Sequence, residues 1–431
     1  MKVIQLMTHF YPCGQTKYVI EINKGLKANG VDVELFVFDY NQTYVSGNLD
    51  IDSNVIIKYV KFEQSVFDEL NTADAIFFHD MPLAKMDKWY IYSWVDMVKN
   101  KIHGPKKIQF INAHQWSTNS RANGDLVKKK DFLDLMDKVV GFSKTDDFAL
   151  YYKEKTGSTT FDDKFIHLLL PYEFDDTHKQ WKSFHNKYKR LTYMGRCMKI
   201  KDPERVIEIC PTLSKHGYEC EMRGILRTIA VVGFKNLIYN YGTKDKSDKT
   251  FFLTKKYRDA HNISKEDNCI HLEREFKDKV YVFGEYKNKE GMEMISWSQF
   301  GCDFFNVITK KKEATNDCGD NGEYVIVEMF DVGTIPLIDY DFAKNCKLYK
   351  DGKWTGETWL SANLGIPLKD DLSNLDDVLN KMNELSNNEN LYNEYREYCF
   401  NTAKECHNPT DIVKHLLIDI FTLNDRKDIT L

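Results

Sequence analysis

Short apolar segments rich in strand-forming residues alternate with helical segments along this chain, and the alternation occurs twice. In the first half, strands are predicted at 3–7, 32–38, 55–62, 75–79, 106–112, 138–143 and 166–170, with a helix at 16–29. In the second half, strands are predicted at 191–194, 218–222, 280–284, 301–307 and 334–339, with helices at 203–213 and from 375 to 423. Strands that alternate with helices predict two parallel sheets covered on both faces.

The polar stretch 175–189 separates the two series and is predicted to be an interdomain linker. We therefore expect one Rossmann-like domain over 1–180 and a second over 190–400. The helices of 401–431 are expected to pack back on the first domain.

The composition excludes some classes of protein. The chain has 431 residues, of which 42% are hydrophobic and 29% are charged, and its net charge of −5 excludes a globally basic nucleic-acid binder, although a local basic face remains open. The 10 cysteines include no C-x-x-C pair, which favours a cytosolic protein without disulfides or a zinc site. No apolar run approaches the roughly 18 residues that a membrane helix needs.

The loop after the first strand is a candidate anion site. Gly14 and Gln15 lead into the predicted helix at Thr16, where free backbone N–H groups favour a phosphate. An ordinary turn between strand and helix is the alternative. Two Rossmann-like halves without a G-x-G-x-x-G motif favour a ligand site between the carboxyl ends of two sheets.

Basic residues follow two strands of the second half. Arg196 and Lys201 come after strand 191–194, and Gly224 and Arg227 come after strand 218–222. Arginine offers a forked contact and lysine a point charge, so this edge is suited to a diphosphate. A solvated basic turn is the alternative.

Two acids five residues apart flank a short apolar segment that is predicted to be a helix. Glu323 and Tyr324 begin it, and Glu328 lies within it. A carboxylate in apolar surroundings is costly unless it accepts hydrogen bonds, and a ribose diol would donate them. A surface acid on an amphipathic helix is the alternative.

Taken in order, these motifs resemble those of the retaining DNA α-glucosyltransferases of T-even bacteriophages. The motifs are Cys13-Gly14-x-Thr16-Lys17 with Glu21, Asn29-Gly30-x-x-Val33, Asp80-Met81-Pro82, Arg121 with Asn123, Gly195-Arg196 with Lys201, Gly224-x-x-Arg227, Ser298-x-Phe300-Gly301, and Glu323-Tyr324 through Pro336. The resemblance covers 242–279 and 310–321 poorly, since the chain carries extra residues there.

The resemblance implies an α/β chain of GT-B fold, with two Rossmann-like domains facing each other across a cleft. The first domain would bind DNA and the second a UDP-sugar. The implied reaction moves the sugar to the hydroxymethyl group of a flipped 5-hydroxymethylcytosine in duplex DNA, with retention. Glucose is the favoured sugar and arabinose the alternative.

The same resemblance assigns residues to roles. The residues implied to bind the donor are Gly14, Gln15, Thr16, Arg196, Lys201, Gly224, Arg227, Phe300, Glu323, Tyr324 and Glu328. Those implied to be catalytic are His114, Glu21 and Asp80, and those implied to bind DNA are Trp116, Arg121, Lys128, Lys129 and Lys130. The family has an H-x-H pair where this chain has His114 and Trp116, so a structural role for His114 stays open.

No obligatory metal is expected, and Mg²⁺ could assist release of the diphosphate. Of two D-x-D triplets, the one at Asp339 follows a predicted strand, but a turn role is favoured for both. A monomer with no membrane attachment is expected. Two other functions remain open: a GT-B glycosyltransferase with a polysaccharide or lipid acceptor, and a nucleotide-sugar-binding module without transfer.

Overall fold

The computed structural model describes residues 1–7, 14–38, 55–61, 63–79, 88–111, 132–141, 157, 159, 164–177, 181–195, 202–224, 269–271, 280–283, 288–304 and 324–421. Within this part of the chain, no helix is long and apolar enough to cross a membrane. Cys210, Cys220, Cys302, Cys346, Cys399 and Cys406 are free and buried.

The described elements alternate as the sequence predicts. The strands are β1 (Lys2–Met7), β2 (Asp32–Val37), β3 (Ile57–Tyr59), β4 (Ala75–Phe78), β5 (Lys106–Ile111), β6 (Lys138–Gly141), β7 (Phe165–His167), β8 (Tyr188–Gly195), β9 (Glu219–Gly224), β10 (Cys269–His271), β11 (Val280–Phe283), β12 (Ser298–Asp303), β13 (Ile335–Asp339), β14 (Lys347–Lys350), β15 (Lys353–Thr358) and β16 (Ile366–Leu368). The helices are α1 (Gly14–Ala28), α2 (Gln64–Leu70), α3 (Lys88–Lys101), α4 (Pro203–Lys215), α5 (Asn288–Ser296), α6 (Tyr324–Asp331), α7 (Tyr340–Asn345), α8 (Leu375–Ser386), α9 (Glu389–His407) and α10 (Pro409–Ile420).

The first sheet has the strand order β3-β2-β1-β4-β5-β6-β7, and all its strands run parallel. The order reverses between β1 and β4, which is where doubly wound sheets open a crevice at their carboxyl ends. Helix α1 covers one face with Val19, Ile22 and Leu26, as its spacing predicts, and all three are fully buried.

Helix α1 ends at a left-handed glycine, as the Asn29-Gly30 pair predicts. Gly30 has φ of +71°, a conformation that costs glycine little. The Val31 N–H donates to the Leu26 carbonyl at 3.0 Å, and the Gly30 N–H donates to that of Lys27 at 2.9 Å. This turn leads the chain directly into β2.

The second sheet repeats the arrangement in the order β10-β11-β9-β8-β12-β13-β16. Its strands are parallel except for β10, which runs antiparallel to β11 at the edge. The order reverses between β8 and β12, so this sheet has its own crevice at the carboxyl ends of those two strands.

The polar segment predicted to be a linker already contains the start of the second sheet. Strand β8 begins at Tyr188, whose N–H donates to the Trp297 carbonyl at 2.7 Å. Lys187 is only 6% exposed, and its ammonium donates to the carbonyls of Ser296 and Ser298 at 2.7 and 3.1 Å. These backbone acceptors make burial of Lys187 possible. The polar composition of 175–189 gives no indication of that burial.

The last helix, α10, lies against α1 of the first domain. Asn29 donates its side-chain amide to the Thr410 carbonyl at 2.9 Å, and Gly25 leaves room for Pro409 and Val413. The boundary predicted at residue 401 falls inside α9, because that helix continues to His407.

Gly25→Ala is expected to lower the free energy of unfolding by about 1 kcal/mol, since the cost of overpacking exceeds the gain in helix propensity. A Cβ atom there would lie 2.4 Å from the Pro409 carbonyl oxygen, a backbone atom that cannot rotate away. Urea unfolding measures the change. Gly356→Ala is the control, because its added Cβ meets nothing within 4 Å. A Gly25→Ala protein as stable as the wild type would contradict this close approach.

Candidate functional site

The first residues of two helices from different domains meet between the sheets. Helix α1 begins at Gly14 and helix α6 begins at Tyr324. A Cβ atom placed on Gly14 would lie 3.9 Å from the Tyr324 ring, an ordinary van der Waals contact. Helix N-termini carry partial positive charge and unpaired N–H groups, so their convergence favours an anionic ligand.

An ion pair joins the same two helices one turn further on. The Lys17 ammonium of α1 binds the Glu328 carboxylate of α6. It also lies over two aromatic rings, 4.6 Å from the centroid of Tyr172 and 5.2 Å from that of Tyr324. The Lys17 and Glu328 side chains are 18% and 10% exposed. The pair is therefore largely shielded from water, where charge interactions are strong.

The chain crosses from the first domain to the second beside this pair, and Asp331 holds the crossing segment. The Tyr172 hydroxyl donates to one carboxylate oxygen of Asp331 at 2.8 Å, and the Asp175 N–H donates to the other at 2.9 Å. The Trp181 indole N–H donates to the Asp331 carbonyl at 2.7 Å. The end of α6 is thereby fixed to the interdomain segment.

Glu21 of α1 contacts the same segment from the first domain. Its carboxylate accepts the Glu173 N–H at 2.8 Å and pairs with Lys24 at 3.1 Å. It is 5% exposed. These contacts show that the Glu21 carboxylate positions the interdomain segment. The catalytic role that the resemblance implies for Glu21 stays a prediction.

Burial shapes the charge of both acids. It raises the pKa of Glu21 above its ordinary value, while the Lys24 and Lys17 ammonium groups oppose that rise. Burial likewise raises the pKa of Asp331, against the hydrogen bonds of Asp175 and Tyr172 and the charge of Lys17. Lys17 therefore stabilises the charged forms of both acids while it pairs with a third, Glu328.

His79 lies at the carboxyl end of β4, directly before the predicted catalytic residue Asp80. Its Nε2 atom is 2.8 Å from the Gln5 side-chain oxygen, and its ring centroid is 4.5 Å from that of Phe110. Full burial lowers the pKa of His79 to about 3, so its imidazole is neutral at physiological pH.

Several other predicted site residues are described. Thr16 is fully buried in the first turn of α1. Gln15 lies in the same turn, and Gly224 is the last residue of β9 at the carboxyl edge of the second sheet. Tyr324 is 8% exposed, and its hydroxyl donates to the Pro171 carbonyl at 3.1 Å.

Phe300, which the resemblance implies to bind the donor, is completely buried in β12. Its ring packs between those of Tyr218 and Tyr392, at centroid distances of 6.0 and 6.3 Å. The ring therefore contributes to the core, and a role of Phe300 in donor binding stays a prediction.

The other predicted site residues fall outside the described residues. They are Asp80, His114, Trp116, Arg121, Lys128, Lys129, Lys130, Arg196, Lys201, Arg227 and Glu323.

The second D-x-D triplet has a structural role. Asp339 accepts the Phe342 N–H at 2.9 Å as the N-cap of α7 and pairs with Arg205 at 2.9 Å. Within the described part of the chain, no group of three or more His, Cys, Asp or Glu side chains is arranged to hold a metal ion.

Sequence reasoning did not assign roles to three residues of this site. Lys17 and Asp331 were included only as members of longer motifs, and Tyr172 was not considered. Lys17 and Glu328 are 311 positions apart, and Tyr172 and Asp331 are 159 apart. Only Asp331 carried a local indication of a role in the site, since it is a second acid shortly after Glu328 in an apolar helix.

Comparisons with known proteins agree with the observed fold. No protein-family model and no curated protein matches the sequence. The structure is similar to an alpha-glucosyltransferase in complex with UDP-glucose and DNA containing an abasic site, with a TM-score of 0.73 and 17% identity over 98% of this chain and 99% of that one. It is similar to an alpha-glucosyltransferase in complex with UDP and a 13-mer DNA containing a HMU base, with a TM-score of 0.72 and 16% identity over 98% and 100% of the two chains.

A more distant similarity is to a glycosyltransferase from Rickettsia africae, with a TM-score of 0.56 and 12% identity over 99% of both chains. At these identities the likeness shows the fold. The GT-B architecture predicted from the sequence is confirmed, and so is the resemblance to alpha-glucosyltransferase in structure.

Proposed function

We propose that this chain is a glycosyltransferase that moves a sugar from a UDP-sugar to the hydroxymethyl group of 5-hydroxymethylcytosine in duplex DNA, with retention. The observation that carries the proposal is the meeting of α1 and α6, with Lys17 and Glu328 between two Rossmann-like sheets. The structural relatives support it, since alpha-glucosyltransferase has been solved with UDP-glucose and DNA.

The donor would lie across this meeting point. Backbone N–H groups at the start of α1 would face the diphosphate, together with Arg196 and Lys201 after β8. The ribose hydroxyls would donate to Glu328. As the diphosphate leaves, negative charge develops on it, and positive groups fixed in place beforehand stabilise that charge.

The acceptor would approach from the first domain. An enzyme that modifies a base within a duplex must first turn it out of the stack. Trp116, Arg121 and the lysines 128–130 are proposed to hold the DNA, and Asp80 and His114 to lie beside the acceptor hydroxyl. His79 is a poor proton acceptor with its pKa held at about 3, so it is not proposed as the base that takes the proton of the acceptor hydroxyl.

The reaction is tested by mass spectrometry of nucleosides. The protein is incubated with 5-hydroxymethylcytosine duplex DNA and UDP-sugars, with UDP-glucose and UDP-arabinose in parallel, and the DNA is digested. We expect hydroxymethylcytosine to gain one hexose, and a pentose gain would identify arabinose instead. Duplex DNA with unmodified cytosine is the control and should gain nothing.

Failure has a defined meaning in this experiment. UDP-sugar hydrolysis without any gain on DNA would contradict the DNA acceptor and favour a polysaccharide or lipid acceptor. Binding of UDP-sugar with neither transfer nor hydrolysis would favour a nucleotide-sugar-binding module.

A further inference from the structure

Lys17 pairs with Glu328 at the domain interface and lies near two further acids. Burial raises the pKa of Glu21 and of Asp331, and the charge of Lys17 opposes both rises. These acids come from both domains, Glu21 from α1 and the other two from α6. A ligand that displaces Lys17 from Glu328 and supplies an anion of its own keeps the Lys17 ammonium in a direct ion pair.

The position of the pair makes such an exchange feasible. Lys17 lies one turn from Gly14 on α1, and Glu328 lies one turn from Tyr324 on α6. The first turn of a helix favours an anionic group such as a diphosphate. Both side chains keep some exposure, 18% for Lys17 and 10% for Glu328, so a ligand can reach them. The Tyr172 and Tyr324 rings hold the ammonium by cation–π contact while its anion changes.

We propose that Lys17 exchanges partners when the donor binds. Its ammonium holds Glu328 until a nucleoside diphosphate arrives and then moves to the diphosphate, while the ribose hydroxyls take the Glu328 carboxylate. This inference rests on the proposed function and adds a donor-binding residue from the first domain. Each group keeps a charge-assisted contact before and after the exchange.

The exchange predicts selection of nucleoside diphosphates over nucleosides. The ribose hydroxyls of uridine would bind the Glu328 carboxylate, but uridine has no anion for Lys17. It should therefore bind poorly. UDP supplies both the ribose hydroxyls for Glu328 and the diphosphate for Lys17. The Lys17→Met variant removes the ammonium, so UDP should lose the contact, whereas uridine should no longer compete with a lysine for Glu328.

The test is calorimetric titration of the full chain with UDP and with uridine. In Lys17→Met, we expect UDP affinity to fall about 10- to 100-fold, the usual worth of a charge-assisted hydrogen bond. Uridine affinity should stay the same or rise, so the preference for UDP shrinks by at least that factor. Lys17→Arg keeps a cation and should retain most of the preference.

Lys24→Met is the matched control, because Lys24 lies on the same helix and pairs with Glu21 and Glu173. It should keep the wild-type preference for UDP. Equal loss of UDP and uridine affinity in Lys17→Met would overturn the exchange and leave the proposed function intact. A wild-type protein that binds neither ligand would overturn the proposed function itself.

Discussion

Lowering the pH from 8 to 5 is expected to reduce the free energy of unfolding by about 4 kcal/mol through two buried histidines, at roughly 2 kcal/mol each. Burial lowers the pKa of His79 to about 3 and that of His407 to about 4, from the ordinary 6.5. Below pH 6.5 the unfolded chain binds protons that the folded chain cannot, so this stabilisation is complete above pH 6.5 and is lost as the pH falls.

The contribution of His407 can be isolated by substitution. Its Nδ1 atom lies 2.7 Å from the Leu170 carbonyl, an acceptor that the Nδ1–H donor satisfies. His407→Gln keeps a donor but removes the titrating group. Urea unfolding at pH 8 and pH 5 should show about 2 kcal/mol less pH dependence in the variant. Comparison with the wild type cancels the opposite contribution of Glu21 and Asp331, whose raised pKa values make the fold more stable at low pH. An unchanged pH dependence would show that His407 is not buried in neutral form.

The two sheets could be predicted because parallel buried strands read as short apolar segments. Strand β12 shows where that signal fails. It was predicted at 301–307 and is observed at Ser298–Asp303. Its first residues are polar yet buried. The Ser298 hydroxyl is hydrogen-bonded to the Thr192 hydroxyl at 2.6 Å, which makes its burial possible. Pairing of this kind depends on the neighbouring strand, which lies more than a hundred residues away.

The hairpin of β14 and β15 was missed although its sequence carries a signal. Asp351 and Gly352 form its turn, with φ values of +50° and +73°. An Asp-Gly pair between two polar-apolar alternations is typical of a two-residue hairpin turn. The prediction was based on the alternation of strand and helix segments, so this short hairpin between two helices was overlooked.

The site was predictable where a single segment carries its chemistry, as in the helix of Glu328. It was not predictable where side chains meet across the domains. Lys17 has no unusual local surroundings, and its role comes from Glu328 and the two tyrosine rings. Phe300 shows a different case, since its motif suggested the donor site while its ring packs in the core against Tyr218 and Tyr392.

Arg205→Met is expected to lower the free energy of unfolding by about 3–5 kcal/mol, the usual cost of removing one partner of a buried ion pair. Arg205 of α4 is 2% exposed. Its guanidinium lies 2.9 Å from the carboxylates of Asp202 and Asp339 and also binds Asp370. It donates to the Leu368 carbonyl at 3.1 Å. Methionine fills the volume but leaves Asp339 without a compensating charge.

Two further variants separate charge from packing. Arg205→Lys keeps the charge but has no planar fork to reach several acceptors, so an intermediate loss is expected. Adding Asp339→Asn to Arg205→Met removes the uncompensated carboxylate and should recover part of the stability. Urea unfolding followed by circular dichroism measures all three. If the double variant were no more stable than Arg205→Met, packing of the guanidinium over the Phe304 ring, 4.7 Å away, would account for the loss instead of charge.

The same substitutions should act on donor binding, because Arg205 holds Asp202, which directly follows Lys201 in the sequence. Lys201 and Arg196 are the residues predicted to bind the diphosphate. Asp202 has φ of +43°, a left-handed conformation that is strained for a residue other than glycine, and the ion pair with Arg205 helps to maintain it. Loss of the pair should therefore weaken UDP binding under conditions where the variant is still folded. Arg205→Lys should retain more of that affinity than Arg205→Met. Equal UDP affinity in the wild type, Arg205→Lys and Arg205→Met would show that donor binding does not depend on Arg205.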